Sequence, residues 1–470
     1  MVKMSFSDAV QNIGTAVWGW PTMALFLGVG LYYTVQLRGV QFRRLPTALK
    51  LILRKNEGRG NSSYAALCTA LAATIGTGNI VGVATAMAAG GPGALFWMLV
   101  SAALGMATQY AEGFLAVRFR QKQSDGWFGG PFCYIEMGLG KRWRWLAAAF
   151  AAICAGAGIL GVGTVTQINS ITAAVQNFFD VGKAHTAFSL GGQSYGYATV
   201  ISGSLVTAAA ALVLLGGAKR IAHVCELLVP LMSALYLLVC AFVLVRCGDR
   251  IPSAVALIIK SAFAPKAVLG AGAGITVRRM LRMGIGRGVF TNEAGVGSSP
   301  IAAATVQGEN PVAQGLVTMT GTFIDTIVIC TVTGLCLVVT GAWAAPAEGV
   351  EITDMAWRSA LPWPESLSSF LMMLCLSFFA FATVIGWNFY AEQCLRYLVG
   401  KREGAILAYR AAYIAALAIG PYFTVAAAWE MADILNALMA LPNLLALILL
   451  RKTVIGESHS ALRKNNIDIM

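Results

Sequence analysis

The stretch TIGTGNIVGVATAMAAGGPG, Thr74 to Gly93, decides the fold, because it places the four residues GTGN, 76–79, inside an apolar run of membrane-spanning length. A glycine inside a helix costs about 1 kcal/mol relative to alanine, so two glycines and two polar residues predict an interruption of the helix there. In a bilayer, the backbone groups that a break frees must find other partners. The sequence therefore predicts a broken membrane helix whose free N–H and C=O groups bind a ligand.

The whole chain has the composition of an integral membrane protein. Of its 470 residues, 57% are hydrophobic and 12% are charged, and the mean hydropathy is +0.70, whereas about a quarter of the residues of a soluble domain are charged. The segments between the apolar runs are too short to form a soluble domain. We therefore expect one transmembrane domain over residues 1–470.

Apolar runs of roughly 20 residues, the length that crosses a bilayer as a helix, occur about eleven times. An all-α membrane protein of about eleven helices is thus predicted. The predicted spans are 17–36, 65–90, 94–118, 146–178, 197–216, 222–246, 255–287, 312–341, 367–397, 405–420 and 425–450.

The basic residues lie between these runs and orient them. The segment 36–60 is rich in Lys and Arg with Glu57 as its single acid, so the positive-inside rule places it in the cytoplasm. Alternation then puts the N-terminus outside and the basic C-terminal tail inside, although the basic loop 246–266, predicted outside, fits poorly. The net charge of +13 is thus interpreted as membrane orientation, and no nucleic-acid partner is expected.

The seventh predicted span contains a second interruption, GAGAG at 270–274, followed by a half predicted to face the cytoplasm. The second and seventh spans lie five helices apart and run in opposite directions. Glycine-interrupted helices at corresponding positions of two inverted halves indicate a transporter binding site near the bilayer midplane. The alternative for Gly78 and Gly82 is a GxxxG pair for helix packing. The predicted cytoplasmic half carries Arg278, Arg279, Arg282 and Arg287.

A zwitterionic amino acid would suit such a break. The N–H groups at a half-helix N-terminus favour a carboxylate, and freed carbonyls at a C-terminal end accept from an ammonium or bind a hard cation. Thr77, Gly78 and Asn79 are the candidates for the carboxylate.

Further polar residues lie inside the predicted spans. Asp325, in the eighth span, is predicted to bind a cation or to hydrogen-bond the unwound backbone, with a purely structural pairing as the alternative. Thr383 and Trp387 lie one turn apart on the ninth span, so a hydroxyl could join a Na⁺ site while the indole forms a pocket wall. Ordinary packing is the alternative for Trp387.

Four other polar residues have less specific predictions. Gln167 and Asn169 could face a cavity or form hydrogen bonds between helices. Glu112 and Glu392 are near the predicted cytoplasmic ends of their spans, and we expect each to form a solvated pair with a nearby arginine.

Enzyme signatures are weak. GAGILG, 156–161, matches GxGxxG but lies in an apolar run with no preceding strand, and the three histidines are far apart. A membrane-embedded enzyme is therefore disfavoured, as is ATP-driven transport. A channel is disfavoured because two helix breaks are more typical of an occluding site than of a pore-lining ring.

Six segments resemble the alanine or glycine:cation symporters, also called sodium:alanine symporters, in the order of that family and across nearly the whole chain. Two departures from the family pattern are Leu99, where tryptophan is usual, and GAGAG, where a bulky aromatic is frequent. The segments are LYYTVQLRGVQFRR, GTGNIVGVATAMAAGGPGALFWM, FGGPFCYIEMGLG, RMGIGRGVFTNEAGVGSSPIAAA, FIDTIVICTVTG and IGWNFYAEQCLRYL.

This resemblance implies a LeuT-type 5+5 inverted repeat, with an extra helix at 17–36, a first repeat at about 65–246 and a second at about 255–450. It also implies Na⁺-coupled uptake of a small neutral amino acid, alanine or glycine, by alternating access across a bacterial inner membrane. No organic cofactor and no obligate protein partner is implied.

The resemblance also assigns candidate ligands. Na⁺ would be bound by the carbonyls of Ala72, Ile75 and Ala380 and by the Thr383 hydroxyl. Two alternatives keep the fold: proton coupling through Asp325, and a preference for glutamine. The implied substrate contacts are Thr77, Gly78, Asn79, Gly270, Gly272, Ile275, Thr276 and Trp387.

Overall fold

The computed structural model describes residues 14, 17–52, 62–124, 126–180, 182, 185–190, 193–263, 276–307, 310–400 and 402–463. Within these residues the regular structure is helical apart from two antiparallel hairpins. One hairpin joins β1 (Gln121–Gln123) to β2 (Gly126–Phe128), and the other joins β3 (Thr186–Leu190) to β4 (Gln193–Gly196). Both hairpins lie in connections between predicted spans.

Two π-helical segments, π1 (Gly78–Gly82) and π2 (Phe323–Cys330), interrupt otherwise α-helical spans. The α-helices are α1 (Trp20–Gln36), α2 (Val40–Arg43), α3 (Leu45–Ile52), α4 (Ser63–Thr74), α5 (Val83–Gly90), α6 (Gly93–Arg118), α7 (Pro131–Leu139), α8 (Arg144–Leu160), α9 (Val165–Phe179), α10 (Tyr197–Leu214), α11 (Gly217–Arg246), α12 (Ile251–Phe263), α13 (Val277–Asn292), α14 (Ser299–Ala303), α15 (Pro311–Thr322), α16 (Thr331–Thr340), α17 (Val350–Ala360), α18 (Glu365–Val399), α19 (Glu403–Ile419), α20 (Val425–Leu449) and α21 (Arg451–Arg463).

Eight helices in the described part of the chain are long and apolar enough to cross a membrane, and α4 with the π1–α5 half, bent by 52° at the break, would make a ninth. These nine correspond to nine of the predicted spans and confirm an all-α membrane fold. Helix α1 has 17 residues, short of the roughly 20 that span a bilayer. The number eleven remains a prediction.

The predicted seventh span, 255–287, is wrong, because α12 does not cross the protein. Next to its start, Arg250 donates to the carbonyl of Val339 at 3.4 Å, and near its end the carbonyl of Ala262 accepts from the indole of Trp97 at 3.3 Å. Val339 and Trp97 belong to the same end of the protein, because the end of α16 packs on the start of α6. Helix α12 therefore lies along one face of the protein. The prediction failed because an amphipathic surface helix can be as apolar as a membrane span.

Helix α13 forms the beginning of the actual seventh span and runs beside α6 in the same direction. A Cβ on Gly284 would overlap the carbonyl of Ala94, and one on Gly288 would lie 3.3 Å from the Met98 carbonyl, so both glycines permit close packing. The prediction that the α13 arginines lie on the same side as the segment 36–60 is therefore wrong. They lie toward the end of α6 that begins at Gly93, together with the connection 344–365, which is predicted to be outside.

The core surrounds α6 and α18, whereas α10 and α11 have outward-facing apolar side chains. On these two helices, Leu205 is 66% exposed, Leu212 is 68% exposed and Leu227 is 71% exposed. Exposed apolar surface on this scale suits lipid rather than water. The polar residues of the predicted site lie on the inner helices instead.

Candidate functional site

The predicted interruption at GTGN is confirmed. Helix α4 ends at Thr74, and Ile75 adopts an extended conformation with φ −73° and ψ 92°. The N–H of Gly76 is bonded by the side chain of Asn79, whose Oδ1 accepts it at 2.9 Å. Both Ile75 and Asn79 are completely buried. The chain thus leaves the helix inside the protein, where freed backbone groups need a partner other than water.

Asn79 connects this break to Asp325. Its Nδ2 donates to Oδ1 of Asp325 at 2.8 Å and to the Asp325 carbonyl at 3.1 Å. The hydroxyl of Thr326 donates to Oδ2 at 2.6 Å. Of the roles predicted for Asp325, hydrogen bonding to the broken helix is therefore present, through a side chain rather than the backbone. The amide of Asn79 is occupied by protein groups in this conformation.

Thr77 has a hydroxyl that is fully buried and has no hydrogen-bond partner among the residues that the structure describes. Its N–H points to Oε1 of Gln167 at 3.5 Å. A buried polar atom without a partner costs about 1–3 kcal/mol, so an unpaired hydroxyl beside a helix break is a candidate ligand-binding group. Among the predicted site residues, Thr77 is the one whose side chain most clearly lacks a hydrogen-bond partner within the described residues.

The fourth span is also broken, between α8 and α9, which the sequence reading did not anticipate. A Cβ on Gly163 would lie 2.7 Å from Cβ of Trp387, so the break lets this tryptophan approach the backbone closely. The hydroxyl of Tyr413 donates to the Gly163 carbonyl at 2.8 Å. The segment GVGTVTQ, 161–167, also places glycine and threonine inside an apolar run, as GTGN does, and was a usable signal for this break.

The residues predicted to bind Na⁺ come from two helices that pack closely. Oγ1 of Thr383 lies 3.5 Å from the carbonyl oxygen of Ile75, and a Cβ on Gly76 would overlap this hydroxyl. Ala72 and Ala380, each three residues earlier on its helix, are completely buried. The structure therefore brings the Thr383 hydroxyl to the carbonyl end of α4, where oxygen ligands suit a hard cation.

Trp387 is completely buried, and its indole N–H donates to Oε1 of Glu293 at 2.8 Å. Ser298 donates to the other carboxylate oxygen of this glutamate. Glu293 has φ +55°, a left-handed conformation that is uncommon for a non-glycine residue. Sequence reasoning missed Glu293, although an acidic residue in the glycine-containing segment NEAGVGSS, 292–299, was a usable signal.

Glu293 begins a second break, 293–298, that separates α13 from α14. Gly295 and Gly297 have φ values of +87° and +91° there. The last turn of α13 meets the first break, because a Cβ on Gly78 would lie 2.8 Å from Oγ1 of Thr291. The break at 293–298 therefore begins close to the break at GTGN.

The predicted break at GAGAG lies outside the described residues, as do Gly270, Gly272 and Ile275. Thr276 is described and exposed, and its hydroxyl caps α13 by accepting from the N–H of Arg279 at 3.2 Å. The structure does not bring Thr276 to the first break.

The solvated pair predicted for Glu112 is wrong. Glu112 is completely buried and accepts from Nδ2 of Asn443 at 2.6 Å, whereas Arg118 pairs with Glu457 at 3.0 Å. The reason is that Glu112 faces the interior, where Asn443 of α20 reaches it. Asn443 also donates to the Gly295 carbonyl at 2.9 Å, which connects Glu112 to the second break.

Glu392 does pair with Arg396, at 3.0 Å, and also with Arg410, at 2.8 Å, but it is buried rather than solvated. Asn169 lines a cavity, one of its two predicted roles, and it donates to the Phe423 carbonyl at 2.8 Å, which lies in the connection between α19 and α20 rather than in a helix.

That cavity, of about 690 Å³, reaches from the surface toward the first break. Val81 and Thr85 line it from the broken helix. Arg287 also lines it, forms an ion pair with Asp433 at 3.2 Å and stacks on Trp429 with its guanidinium carbon 4.6 Å from the ring centroid. The cavity provides an approach for a small polar solute from this side.

Comparisons with known proteins agree with this architecture. A protein-family model described as the sodium:alanine symporter family matches residues 3–466. An uncharacterized transporter of Haemophilus influenzae is 45% identical over 469 residues, which cover 99% of this chain and 98% of that one. The sodium/alanine symporter AgcS of Methanococcus maripaludis is 39% identical over 475 residues, with 98% of this chain and 99% of that one covered.

Among solved structures, the crystal structure of MhsT in complex with L-phenylalanine superposes with a TM-score of 0.57 at 13% identity, covering 86% of this chain and 99% of that one. This likeness confirms the predicted LeuT-type fold.

Proposed function

The chain belongs to the sodium:alanine symporter family, and from this membership we propose that it moves alanine or glycine into the cell together with Na⁺. Members of this family are multi-pass membrane transporters that couple amino acid transport to a cation, and they are secondary transporters rather than enzymes. We propose both the identity of the substrate and the residues that bind it. We also propose the predicted orientation, with the N-terminus outside and the C-terminus in the cytoplasm.

The observation that carries the proposal is the proximity of the Thr383 hydroxyl to the Ile75 carbonyl at 3.5 Å. Carbonyls at the end of a half-helix are not bonded within that helix and carry its negative dipole end, so they attract a cation. We propose that Na⁺ binds there, with Ala72 and Ala380 as further carbonyl donors. No buried carboxylate is needed at this position.

The amino acid binds beside this cation in the proposal. The unpaired hydroxyl of Thr77 and the backbone of Gly78 receive its carboxylate, and Trp387 closes one side of the pocket. Asn79 binds the substrate carboxylate only when its hydrogen bond to Asp325 is broken. Gly270, Gly272 and Ile275 remain proposals from the family resemblance, and the break at Glu293–Ser298 supplies the adjacent wall.

The energy of one Na⁺ suffices for uptake. One charge that crosses about 100 mV contributes roughly 2.3 kcal/mol, and a tenfold gradient adds about 1.4 kcal/mol. Together these support roughly 500-fold accumulation of a zwitterion. Alternating access then requires the two broken helices to move relative to their neighbours while the site stays at mid-depth.

The test is uptake of labelled alanine by proteoliposomes with and without a Na⁺ gradient, for the wild type, Thr383→Ala and Thr383→Ser. Serine keeps the hydroxyl, so we expect near-normal Na⁺ dependence. Alanine removes one oxygen ligand, and we expect the half-saturating Na⁺ concentration to rise at least about tenfold, the cost of roughly 1.4 kcal/mol. Uptake that ignores Na⁺ in the wild type would refute the coupling.

A competition panel of unlabelled amino acids then determines the substrate. The proposal expects alanine and glycine to displace labelled alanine at lower concentration than glutamine. Stronger displacement by glutamine would replace the proposed substrate while leaving Na⁺ coupling intact.

Proton coupling is the second candidate, and the burial of Asp325 favours it. This carboxyl group is completely buried, and the side chains that hydrogen-bond to it within the described ranges, Asn79 and Thr326, are neutral. A buried carboxyl without a cationic partner is an expected place for a proton in a membrane transporter. Alanine uptake driven by a pH gradient in Na⁺-free buffer, and abolished in Asp325→Asn, would support this candidate.

A further inference from the structure

A basic pocket lies where α1, α2 and α21 meet, far from the proposed transport site. We define the basic pocket by Arg38, Arg43, Arg44 and His459, which line a cavity of about 130 Å³ together with Leu37, Val40 and Leu462. That volume equals the share of roughly four water molecules in the liquid. A group with about four oxygen atoms fits this volume.

The lining of the basic pocket is cationic without an acidic counterpart. Among the described residues that line it there is no Asp or Glu, and the nearby Glu457 on α21 is engaged by Arg118 at 3.0 Å. Three guanidinium groups near one small cavity repel one another. An anion that accepts hydrogen bonds from several of them relieves this repulsion, and guanidinium groups match the oxygens of a phosphate group.

Hydrogen bonds preorganise the pocket, and they use only some of the hydrogen-bond donors of its basic side chains. His459 is hydrogen-bonded through Nε2 to the Gln36 carbonyl at 2.8 Å, and Arg44 donates from Nη2 to the Leu462 carbonyl at 3.3 Å. Arg38 has φ +55°, a left-handed conformation that costs about 1–2 kcal/mol outside glycine. Such strain at a charged surface residue points to a functional placement of its side chain.

The surroundings of the pocket are those of a bilayer surface. Val35, one turn before Arg38, is 63% exposed, and Phe42 on α2 is also 63% exposed. These exposed apolar residues are close in sequence to Arg38 and Arg43, a combination typical of the boundary between acyl chains and headgroups. The positive-inside rule places this end of α1 in the cytoplasm, where the leaflet carries anionic lipids.

We propose that the basic pocket binds the phosphate group of an anionic phospholipid headgroup from the cytoplasmic leaflet. The lipid would hold the end of α1 against α21, which is anchored to α6 by a hydrogen bond from Tyr110 to Ser458 at 2.8 Å. Basic pockets between helices on this side of a membrane bind anionic headgroups in general. The site does not depend on the proposed substrate or coupling ion.

The test is thermal unfolding of the full-length protein in detergent micelles doped with phosphatidylglycerol or, at equal mole fraction, with phosphatidylcholine. A ligand that binds only the folded protein raises its unfolding temperature. We expect phosphatidylglycerol to raise it more than phosphatidylcholine. In the double variant Arg38→Gln/Arg43→Gln, the phosphatidylglycerol concentration that gives half of the shift should rise about 30-fold, from roughly 1 kcal/mol for each basic residue.

The matched control is Lys50→Gln/Lys452→Gln, which removes two charges from the same region without touching the pocket lining. It should keep the wild-type response. The single variant Arg43→Gln, at an exposed residue, serves if the double variant unfolds, and it should show about a fivefold weaker response. Equal responses of the pocket and control variants, or equal effects of the two lipids, would overturn the proposal. A shift of the same size from inorganic phosphate alone would overturn the lipid as the source of the phosphate.

Discussion

The indole Nε1 of Trp387 lies 2.8 Å from Oε1 of Glu293, and this hydrogen bond joins the ninth span to the second helix break. Both residues are buried to within 1% of complete burial. A tryptophan that packed only for volume would not need an acidic partner at its N–H. The bond therefore fixes the orientation of the wall that we assign to the substrate pocket, and it makes this orientation depend on the left-handed turn at Glu293.

Replacing Trp387 with Phe should weaken alanine binding. Phenylalanine keeps an aromatic wall but removes the donor, and a buried acceptor left without its partner costs about 1–3 kcal/mol. We expect the alanine dissociation constant, measured by scintillation proximity at saturating Na⁺, to rise at least about tenfold. Glu293→Gln keeps an acceptor oxygen and should have a milder effect. Trp145→Phe, at a residue 65% exposed, is the control, and an unchanged constant for Trp387→Phe would contradict the proposed role.

Replacing Gly76 with Ala should abolish Na⁺-dependent uptake. The new Cβ would overlap the Thr383 hydroxyl, which would push α18 away from the end of α4 and separate the proposed oxygen ligands. Gly156→Ala is the matched control, since a Cβ there meets no atom within 4 Å. This control should gain up to about 1 kcal/mol of stability, because alanine is the better helix former. Normal Na⁺ dependence in Gly76→Ala would mean that the cation binds elsewhere.

The first break could be predicted from sequence because its signal is local. Glycines and polar residues inside an apolar run are informative without knowledge of neighbouring helices, and GTGN is broken where expected. The break at 293–298 was not predicted, because GAGAG is richer in glycine than NEAGVGSS, and the prediction at GAGAG lies outside the described residues. Hydropathy does not distinguish α12, which lies along one face, from a helix that crosses the membrane.

Glu112 shows why partners from distant segments escaped prediction. The predicted partner, Arg118, is on the same helix, whereas the actual partner, Asn443, comes from 331 positions later in the chain. The role of Glu293 likewise becomes visible only from its hydrogen bond to Trp387 on another helix. Local patterns predict where helices begin and break, but a buried hydrogen bond between helices depends on how they pack.

The stability of the connection before α18 should depend on pH through Asp354. Burial raises the pKa of this carboxyl above its ordinary value; the Ser369 hydroxyl and the Arg358 guanidinium act in the opposite direction, and Glu351 and Glu365 raise the pKa further. The folded protein thus binds this proton more tightly than the unfolded chain does, so the stabilisation is present at acid pH and is lost as the pH rises through the folded pKa.

Hydrogen exchange of the amides in α17 tests this directly. After correction for the intrinsic pH dependence of exchange, protection should decrease as the pH rises from about 4. Asp354→Asn keeps an acceptor for the Ser369 hydroxyl, which donates to Oδ2 of Asp354 at 3.0 Å, and it should remove most of this dependence. Asp249→Asn neutralises a carboxylate in another connection and should leave the dependence unchanged. Protection that increases with pH would contradict the sign of the argument.

Replacing Asn443 with Ala should destabilise the protein strongly, because this one amide serves three buried groups. It donates to Glu112 at 2.6 Å and to the Gly295 carbonyl at 2.9 Å, and it accepts from the Tyr134 hydroxyl. Each group left without a partner costs about 1–3 kcal/mol, so we expect a loss of at least about 3 kcal/mol in the free energy of unfolding.

Asn436 provides the matched control, since it is completely buried on the same helix, α20, and neither polar atom of its amide has a hydrogen-bond partner among the described residues. Asn436→Ala removes the same atoms but leaves no other group without its hydrogen-bond partner. Its unfolding temperature in detergent should therefore stay close to that of the wild type. Asn443→Ala should also slow alanine uptake per folded molecule, because Gly295 belongs to the second break and loses its anchor to α6. Equal destabilisation by the two substitutions would show that loss of volume, rather than loss of the hydrogen-bonded junction at Glu112, determines the effect.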